Sequence, residues 1–143
     1  PYAIVITCSD SRVIPEKIFM VGIGEIFTIR IAGNVIGNYE LGSIEYAAEH
    51  LGVKLILVMG HTRCGAVEAA IKGTGAGFVK YITDEIKGAI GDNTDPMICE
   101  RLNIEHSISQ IKRSPLIQDM IRNEGLMIVG GIIITRSGEV VLF

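Results

Sequence analysis

The chain has 143 residues, of which 48% are apolar and 20% charged, and its mean hydropathy is positive. A chain of this length and composition can bury a useful core, which argues against disorder and is typical of one domain. Its net charge of −3, with scattered lysines and arginines, argues against a nucleic-acid surface or a polybasic membrane contact, and no apolar run approaches the roughly 20 residues that cross a bilayer.

The first half of the chain alternates apolar strands with helices. Short runs of apolar, mostly β-branched residues predict strands, and apolar residues recurring at helical spacing predict helices. Pro15 fits the first turn of a helix, Gly37-Asn38 indicates a turn, and Gly52 ends a helix. In chain order, the predicted elements are strand 2–7, helix 16–21, strand 25–31, helix 43–51, strand 54–59 and helix 64–72.

The second half is mostly helical and ends in two strands. The predicted elements are helices 79–90, 96–112 and 115–123, then strands 126–134 and 139–142 around a hairpin-like turn. Strands that alternate with helices are typical of a parallel sheet covered by helices, to which the terminal hairpin adds an antiparallel edge. We therefore predict an α/β fold with a mostly parallel central sheet flanked by helices, an antiparallel C-terminal edge strand, and a single domain over residues 1–143.

Thiol and imidazole side chains follow two of the predicted parallel strands. Cys8 comes directly after the first strand, and His61 and Cys64 follow the third. Open α/β sheets build their sites at the carboxyl ends of strands, and zinc prefers thiolate and imidazole ligands. Three protein ligands with an open fourth position are typical of a catalytic zinc. The spacing leaves two alternatives open, which are a structural zinc site and cysteines buried as small apolar side chains.

Asp10 and Arg12 place a carboxylate and a guanidinium beside the first cysteine. A carboxylate next to zinc could accept the hydrogen bond of a zinc-bound hydroxide and orient it, or bind the metal itself when water is absent. The guanidinium would keep that carboxylate ionised and in place. Both residues are therefore candidate catalytic groups, and a plain salt bridge at the strand end is the alternative.

Two motifs in this chain resemble those of the β-class carbonic anhydrases. They are CSDSRV at 8–13 and GHTRCGAV at 60–67, which occur in this order with matching flanks. The resemblance covers nearly the whole chain and includes GEIFTIRIAGN at 24–34, GSIEYAAEHLGV at 42–53 and SPLI at 114–117. The paired C-x-D-x-R and H-x-x-C motifs make the match highly specific.

The resemblance implies a metal centre and a reaction. It implies one Zn²⁺ per subunit, bound by Cys8, His61 and Cys64, with Asp10 and Arg12 as the catalytic dyad. The implied reaction is the reversible hydration of carbon dioxide to bicarbonate and a proton, by attack of zinc-bound hydroxide on the carbon. The resemblance thus favours a zinc lyase, a carbonate dehydratase.

An apolar substrate pocket, partly built by a second subunit, is also implied by the resemblance. Phe27, Ala32 and Tyr46 occupy the matching positions, and the N–H of Gly65 could hydrogen-bond an oxygen of bicarbonate. An apolar lining suits a small, uncharged, linear substrate. For the two aromatic residues, an ordinary place in the core is the alternative.

Members of this family carry an N-terminal helical arm that packs on the partner subunit. We expect that arm to be missing here, because the sequence starts directly in an apolar run without Met, and we take the 143 residues to be part of a longer protein. We still expect a homodimer or a higher homo-oligomer, since an edge strand and the apolar excess favour pairing.

Two further functions would use the same zinc site. One is a relative that hydrolyses carbon disulfide or carbonyl sulfide, and the other is a non-catalytic zinc-binding module, against which the intact Asp10 and Arg12 argue. The three cysteines do not suit a disulfide framework and indicate a reducing compartment. We therefore predict a cytoplasmic protein with a small-molecule substrate, and neither nucleic acid nor a membrane as partner.

Overall fold

A five-stranded sheet forms the centre of the computed structural model, which describes residues 1–143. The strands are β1 (Ala3–Thr7), β2 (Ile26–Arg30), β3 (Leu55–His61), β4 (Met127–Ile133) and β5 (Val140–Leu142). Their order across the sheet is β2-β1-β3-β4-β5. The first four strands pair in parallel and β5 pairs antiparallel with β4, which confirms the predicted fold class.

Six α-helices and one 3₁₀ turn connect and cover the strands. They are α1 (Pro15–Ile18), the 3₁₀ turn (Ala32–Asn34), α2 (Asn38–His50), α3 (Gly65–Lys72), α4 (Val79–Ile90), α5 (Pro96–Ile111) and α6 (Pro115–Asn123). Capping side chains start the last two, since Asp95 accepts the N–H of Met97 at 2.9 Å and Ser114 that of Ile117 at 3.1 Å. A helix able to cross a bilayer is not found among them.

Two helix boundaries differ from the sequence prediction by more than one residue. α2 begins at Asn38 rather than at residue 43, because the Glu40 carboxylate accepts the N–H of Gly37 at 2.9 Å and caps the helix there. The predicted Gly37-Asn38 turn is therefore the helix start. α1 ends at Ile18 rather than at residue 21, since Met20 has a φ of +52°, which no right-handed helix accommodates.

The two faces of the sheet are covered unequally. On one face, alternate residues of β1 and β3 pack against α2, α5 and α6, and this main core of 14 buried residues includes Ile4, Ile6, Ile56 and Val58. On the other face, the residues between them join a cluster of only five buried residues around Val5, beneath the short α1. The sheet is therefore anchored mainly from one side.

The parallel register brings the ends of β1 and β3 to the same edge of the sheet. Thr7 pairs with Met59, so the chain leaves β1 at Cys8 close to where β3 ends. The sequence analysis placed His61 after the strand, whereas in the structure it is the last residue of β3. Its imidazole is thus placed by regular, hydrogen-bonded backbone.

Candidate metal centre

Three side chains with metal-ligand chemistry meet at this edge. The sulfur atoms of Cys8 and Cys64 and one ring nitrogen of His61 all lie within 4.8 Å of one another. All three residues are buried, with at most 5% of their surface exposed. The ligand atoms of a tetrahedral zinc are separated by roughly 3.5 to 4 Å, so small side-chain adjustments suffice to bring this triad onto one ion.

The backbone that carries Cys64 turns sharply after β3. Arg63 has a φ of +59°, in the left-handed region, and this bend makes Cys64 the N-cap residue of α3. The N–H of Thr62 donates to the carbonyl of Ile133 at 3.0 Å, which ties the turn to the neighbouring strand β4. The turn between the last two ligands is therefore held by the sheet as well as by its own conformation.

The imidazole of His61 has one nitrogen in use and one without a partner. Nδ1 lies 3.0 Å from the carbonyl oxygen of Thr62 and donates its proton there. This leaves the lone pair of Nε2 free, and Nε2 is buried without any hydrogen-bond partner. A buried polar atom without a partner is costly, and a metal ion shared with the two sulfurs would supply what this nitrogen lacks. The triad therefore fits a zinc ion.

The pKa values of the two cysteine thiols are shifted in opposite directions. A hydrogen bond from Cys64 lowers the pKa of Cys8 to about 4, against the opposing effect of burial, and raises the pKa of Cys64. The N–H of Gly33 also donates to Sγ of Cys8 at 3.3 Å. Burial lowers the pKa of His61, but the charge of the Cys8 thiolate and the hydrogen bond to the Thr62 carbonyl help to raise it overall. A lowered thiol pKa favours metal binding, because zinc binds cysteine as the thiolate.

Asp10 lies beside the triad and is held by Arg12. Oδ1 of Asp10 accepts the backbone N–H and the Nε–H of Arg12, both at 2.9 Å, and Oδ2 accepts from Nη2 at 2.8 Å. The hydrogen bonds from the guanidinium hold the pKa of Asp10 well below its usual range. Oδ2 is 4.0 Å from Nε2 of His61, so an ionised carboxylate faces the metal-ligand cluster.

Comparison with known proteins matches residues 3–140 to the carbonic anhydrase family model. This chain belongs to the β-carbonic anhydrase family. The carbonic anhydrase of Mycolicibacterium smegmatis is 45% identical over 95 residues, which are 63% of this chain and 46% of the relative. Beta carbonic anhydrase 5, chloroplastic, of Arabidopsis thaliana is 30% identical over 151 residues, covering 92% of this chain and 50% of the relative. The chain spans about half the length of these relatives.

Solved structures of β-carbonic anhydrases share the fold. One from Sordaria macrospora, described as tetrameric, superposes with a TM-score of 0.92 at 26% identity, over 100% of this chain and 80% of that one. The Coccomyxa β-carbonic anhydrase, solved in complex with acetazolamide, superposes with a TM-score of 0.86 at 29% identity, over 99% of this chain and 71% of that one. The similarity extends over the whole of the sheet and its helices.

The predicted pocket residues of this β-carbonic anhydrase chain fall in two places. Ala32 begins the 3₁₀ turn that follows β2, and Gly65 begins α3 directly after Cys64, so both lie near the metal ligands in sequence. Phe27 instead pairs with Ile4, four residues before Cys8 on β1, which places it about 13 Å away along the strand.

Tyr46 lies with Phe27 rather than with the metal ligands. The two ring centroids are 6.4 Å apart, and Tyr46 is 51% exposed on α2. Phe27 is partly buried against the main core. Within one chain, the structure therefore brings together the metal ligands and the dyad, but leaves the two aromatic residues on a separate, half-exposed patch.

Two charged residues contact the backbone of this β-carbonic anhydrase site, and the sequence analysis missed one of them, Glu100. Arg30, the last residue of β2, donates from Nε to the carbonyl of Cys8 at 3.2 Å and from Nη2 to that of Asp10 at 2.8 Å. Glu100 is buried in α5 and accepts the N–H of Cys64 at 3.3 Å. Its pKa is raised by burial. The sequence signal for Glu100 was a charged residue at a core position of a predicted helix.

Proposed function

We propose that this chain is a zinc-dependent carbonic anhydrase that catalyses the reversible hydration of carbon dioxide to bicarbonate and a proton. The observation that carries the proposal is the buried triad, in which two sulfurs and a ring nitrogen without another partner lie within 4.8 Å of one another. The family supports the substrate class, because the relatives matched over short and long stretches carry the carbonic anhydrase name. The relatives support neither the sulfur-analogue hydrolase nor the non-catalytic module.

Cys8, His61 and Cys64 would hold one zinc ion per subunit. Two thiolates and one imidazole are ligands that zinc prefers, and three protein ligands leave one coordination position open. When bound, zinc lowers the pKa of a water molecule in that position and so supplies a nucleophile near neutral pH. The chain contributes a buried setting, since none of the three residues is more than 5% exposed.

Asp10 would act as the hydrogen-bond acceptor for the attacking water. Its Oδ2 atom is 4.0 Å from Nε2 of His61, and three N–H groups of Arg12 fix the carboxylate. An ionised carboxylate held in this way can accept a hydrogen bond from the water at Oδ2. This hydrogen bond would leave an oxygen lone pair directed at the carbon of the substrate. Arg12 would therefore act by positioning Asp10 and keeping it charged.

A second copy of the chain would complete the substrate pocket. Phe27 and Tyr46 lie on a half-exposed patch about 13 Å from their own Cys8 along the strand, so their pocket role requires the neighbouring subunit. Ala32 and the N–H of Gly65 would be contributed by the subunit that holds the metal. A homodimer or a higher homo-oligomer is thus part of the proposal, and the tetrameric description of the Sordaria macrospora proteins supports it.

The organisation and location of the protein complete the proposal. Strands of the one sheet contribute to two of the three buried clusters, and the third includes Cys8, directly after β1, which supports a single domain over residues 1–143. The three cysteines are free and buried, which suits a reducing compartment such as the cytoplasm. The buried metal-ligand cluster suits a small-molecule substrate rather than a nucleic acid or a membrane as partner.

Stopped-flow measurement of carbon dioxide hydration tests the proposed activity. The purified chain loaded with one zinc per subunit should hydrate carbon dioxide far faster than buffer, should lose this rate when a chelator removes the zinc, and should regain it when zinc is restored. A zinc-loaded protein with no rate above buffer would contradict the proposal. If that inactive preparation hydrolysed carbonyl sulfide, the chain would be a sulfur-analogue hydrolase. If it did not, the chain would be a non-catalytic zinc-binding module.

A further inference from the structure

Helix α5 buries a polar stripe on the face that it turns toward the metal-site loops. Glu100, Asn103 and Ser107 are 4%, 1% and 1% exposed, and their spacing of three and four residues puts them on one side of the helix. Burial of polar groups is unfavourable unless each finds a hydrogen-bond partner. Each of the three side chains bonds a backbone group of a segment that carries or contacts a cysteine ligand, while Oδ1 of Asn103 has no partner.

Glu100 holds the turn that carries Cys64. Its Oε1 atom accepts the backbone N–H of Cys64 at 3.3 Å, and its carboxylate also faces the backbone N–H of Arg63. Arg63 has a positive φ, so the turn adopts a conformation that is unfavourable for a residue with a side chain. A buried acceptor at this point stabilises the turn in the form that directs Cys64 toward the other ligands.

Asn103 and Ser107 hold the 3₁₀ turn that contacts the other thiolate. Nδ2 of Asn103 donates to the carbonyl of Gly33 at 2.7 Å, and the hydroxyl of Ser107 donates to the carbonyl of Asn34 at 2.7 Å. Both turn residues have positive φ values, of 69° and 46°. A side chain at Gly33 would also meet the Cδ1 atom of Ile86 at 2.8 Å.

The position of this 3₁₀ turn matters because its backbone reaches the metal site. The N–H of Gly33 donates to Sγ of Cys8 at 3.3 Å. Hydrogen bonds to a ligand sulfur orient it and adjust its strength as a metal ligand. Asn103 bonds the Gly33 carbonyl, which belongs to the peptide plane after the one that carries the Gly33 N–H. Loss of this bond would loosen the turn and let the N–H move away from the sulfur.

We propose that Glu100 and Asn103 are positioning residues of the metal centre, which act on the two cysteine ligands through the Arg63–Cys64 turn and through Gly33. Ser107 secures the same 3₁₀ turn one step further away. The inference rests on the zinc site of the proposed function but concerns residues that touch neither zinc nor substrate. Removing outer partners of metal ligands typically weakens metal binding about 10- to 100-fold.

The test compares Glu100→Ala and Asn103→Ala with the control Ser114→Ala. Ser114 is also buried and also bonds a backbone N–H, that of Ile117 at 3.1 Å, but it caps α6, away from the ligands. The measurements are the rate of zinc release to a chromogenic chelator, the visible spectrum of the Co²⁺-substituted protein, and the melting temperature. All of them use the full chain.

We expect both α5 variants to release zinc about 10- to 100-fold faster and to shift the sulfur-to-cobalt charge-transfer and d–d bands. The control should lower the melting temperature while leaving release rate and spectrum unchanged. Glu100→Gln, which keeps an acceptor oxygen, should restore most of the zinc retention, and it also serves if Glu100→Ala does not fold. Variants that lose melting temperature but release zinc like the wild type would overturn the inference. A wild-type chain that takes up no zinc would instead contradict the proposed function itself.

Discussion

The metal-ligand cluster and the Phe27–Tyr46 patch are built in opposite ways. The cluster is buried at the carboxyl ends of β1 and β3, and backbone hydrogen bonds, Arg12 and α5 hold its parts. The patch lies about 13 Å away along the strand, and Tyr46 is 51% exposed there. Its two ring centroids are 6.4 Å apart, and Phe27 packs against the main core.

This difference shows that one chain brings the metal-ligand triad, Asp10 and Arg12 together but leaves Phe27 and Tyr46 apart from them. A parallel sheet can bring ligands from two strand ends to one point, because both ends lie at the same edge. Residues in the first half of an edge strand cannot reach that point in the same chain. If they line the pocket, they do so from another copy, and mutations in the two regions should therefore behave differently.

The largest effect is expected from breaking the cluster itself. Cys64→Ser replaces a thiolate ligand, so the protein should lose zinc and its carbon dioxide hydration should fall on the order of 10³-fold or more. The matched control is Cys99→Ser, since Cys99 is the buried cysteine outside the triad and its Sγ donates to the carbonyl of Asn93 at 3.3 Å, as a hydroxyl also can. Equal zinc content in the two variants would show that Cys64 is no ligand.

A smaller effect is expected from Asp10→Asn, which leaves the three ligands in place. The amide lacks the negative charge that makes Asp10 a strong hydrogen-bond acceptor for the attacking water, so turnover should fall about 100-fold. Zinc content by metal analysis should stay at one per chain, as in the wild type. Unchanged turnover would remove Asp10 from the mechanism, and lost zinc would make it a ligand rather than an acceptor.

Phe27→Ala should reduce turnover roughly tenfold, because it removes apolar contact with the substrate but leaves the metal centre intact. The comparison is sharpened by hybrids in which one chain carries Phe27→Ala and the other Cys64→Ser. Such a hybrid contains one site with an intact metal centre from the first chain and an intact Phe27 from the second. It should recover about half of the wild-type activity if the wall comes from the partner, and no more than Phe27→Ala alone if the wall is internal.

The smallest effect is a change in pH dependence on replacing Arg12. The guanidinium keeps the pKa of Asp10 well below its usual range, so the wild-type carboxylate stays ionised above pH 4. Arg12→Gln should raise that pKa toward the ordinary value of about 3.9, so that kcat/KM of the variant falls with decreasing pH sooner than that of the wild type. Parallel pH profiles, at equal zinc content, would contradict this role of the guanidinium.

The parts of the site that follow from local pattern were predictable from the sequence. Apolar runs predict the strands, and parallel pairing then places Cys8 and His61 at one edge. The contacts of Arg30 and Glu100 depend on which elements become neighbours: β2 lies beside β1, and α5 packs over the turn at Cys64. Contacts between segments that are distant in the sequence leave no local signal, other than a charged residue where an apolar one is expected.

The start of α2 was missed for a different reason. Gly37-Asn38 has the composition of a turn, and a single glutamate, Glu40, turns it into a capped helix start. The position of the aromatic patch was also beyond the sequence, because the resemblance assigns Phe27 and Tyr46 to the pocket without indicating which subunit's site they face. The contacts within one chain determine where α2 begins, whereas the subunit that Phe27 and Tyr46 face depends on the assembly.

X-ray absorption at the zinc edge of the purified chain tests the central claim most directly. The account predicts one zinc per chain, with two sulfur ligands at about 2.3 Å, one imidazole nitrogen at about 2.0 Å, and one light atom that a small anion can replace. A shell with three sulfurs, with none, or with four protein ligands that no anion displaces would contradict it.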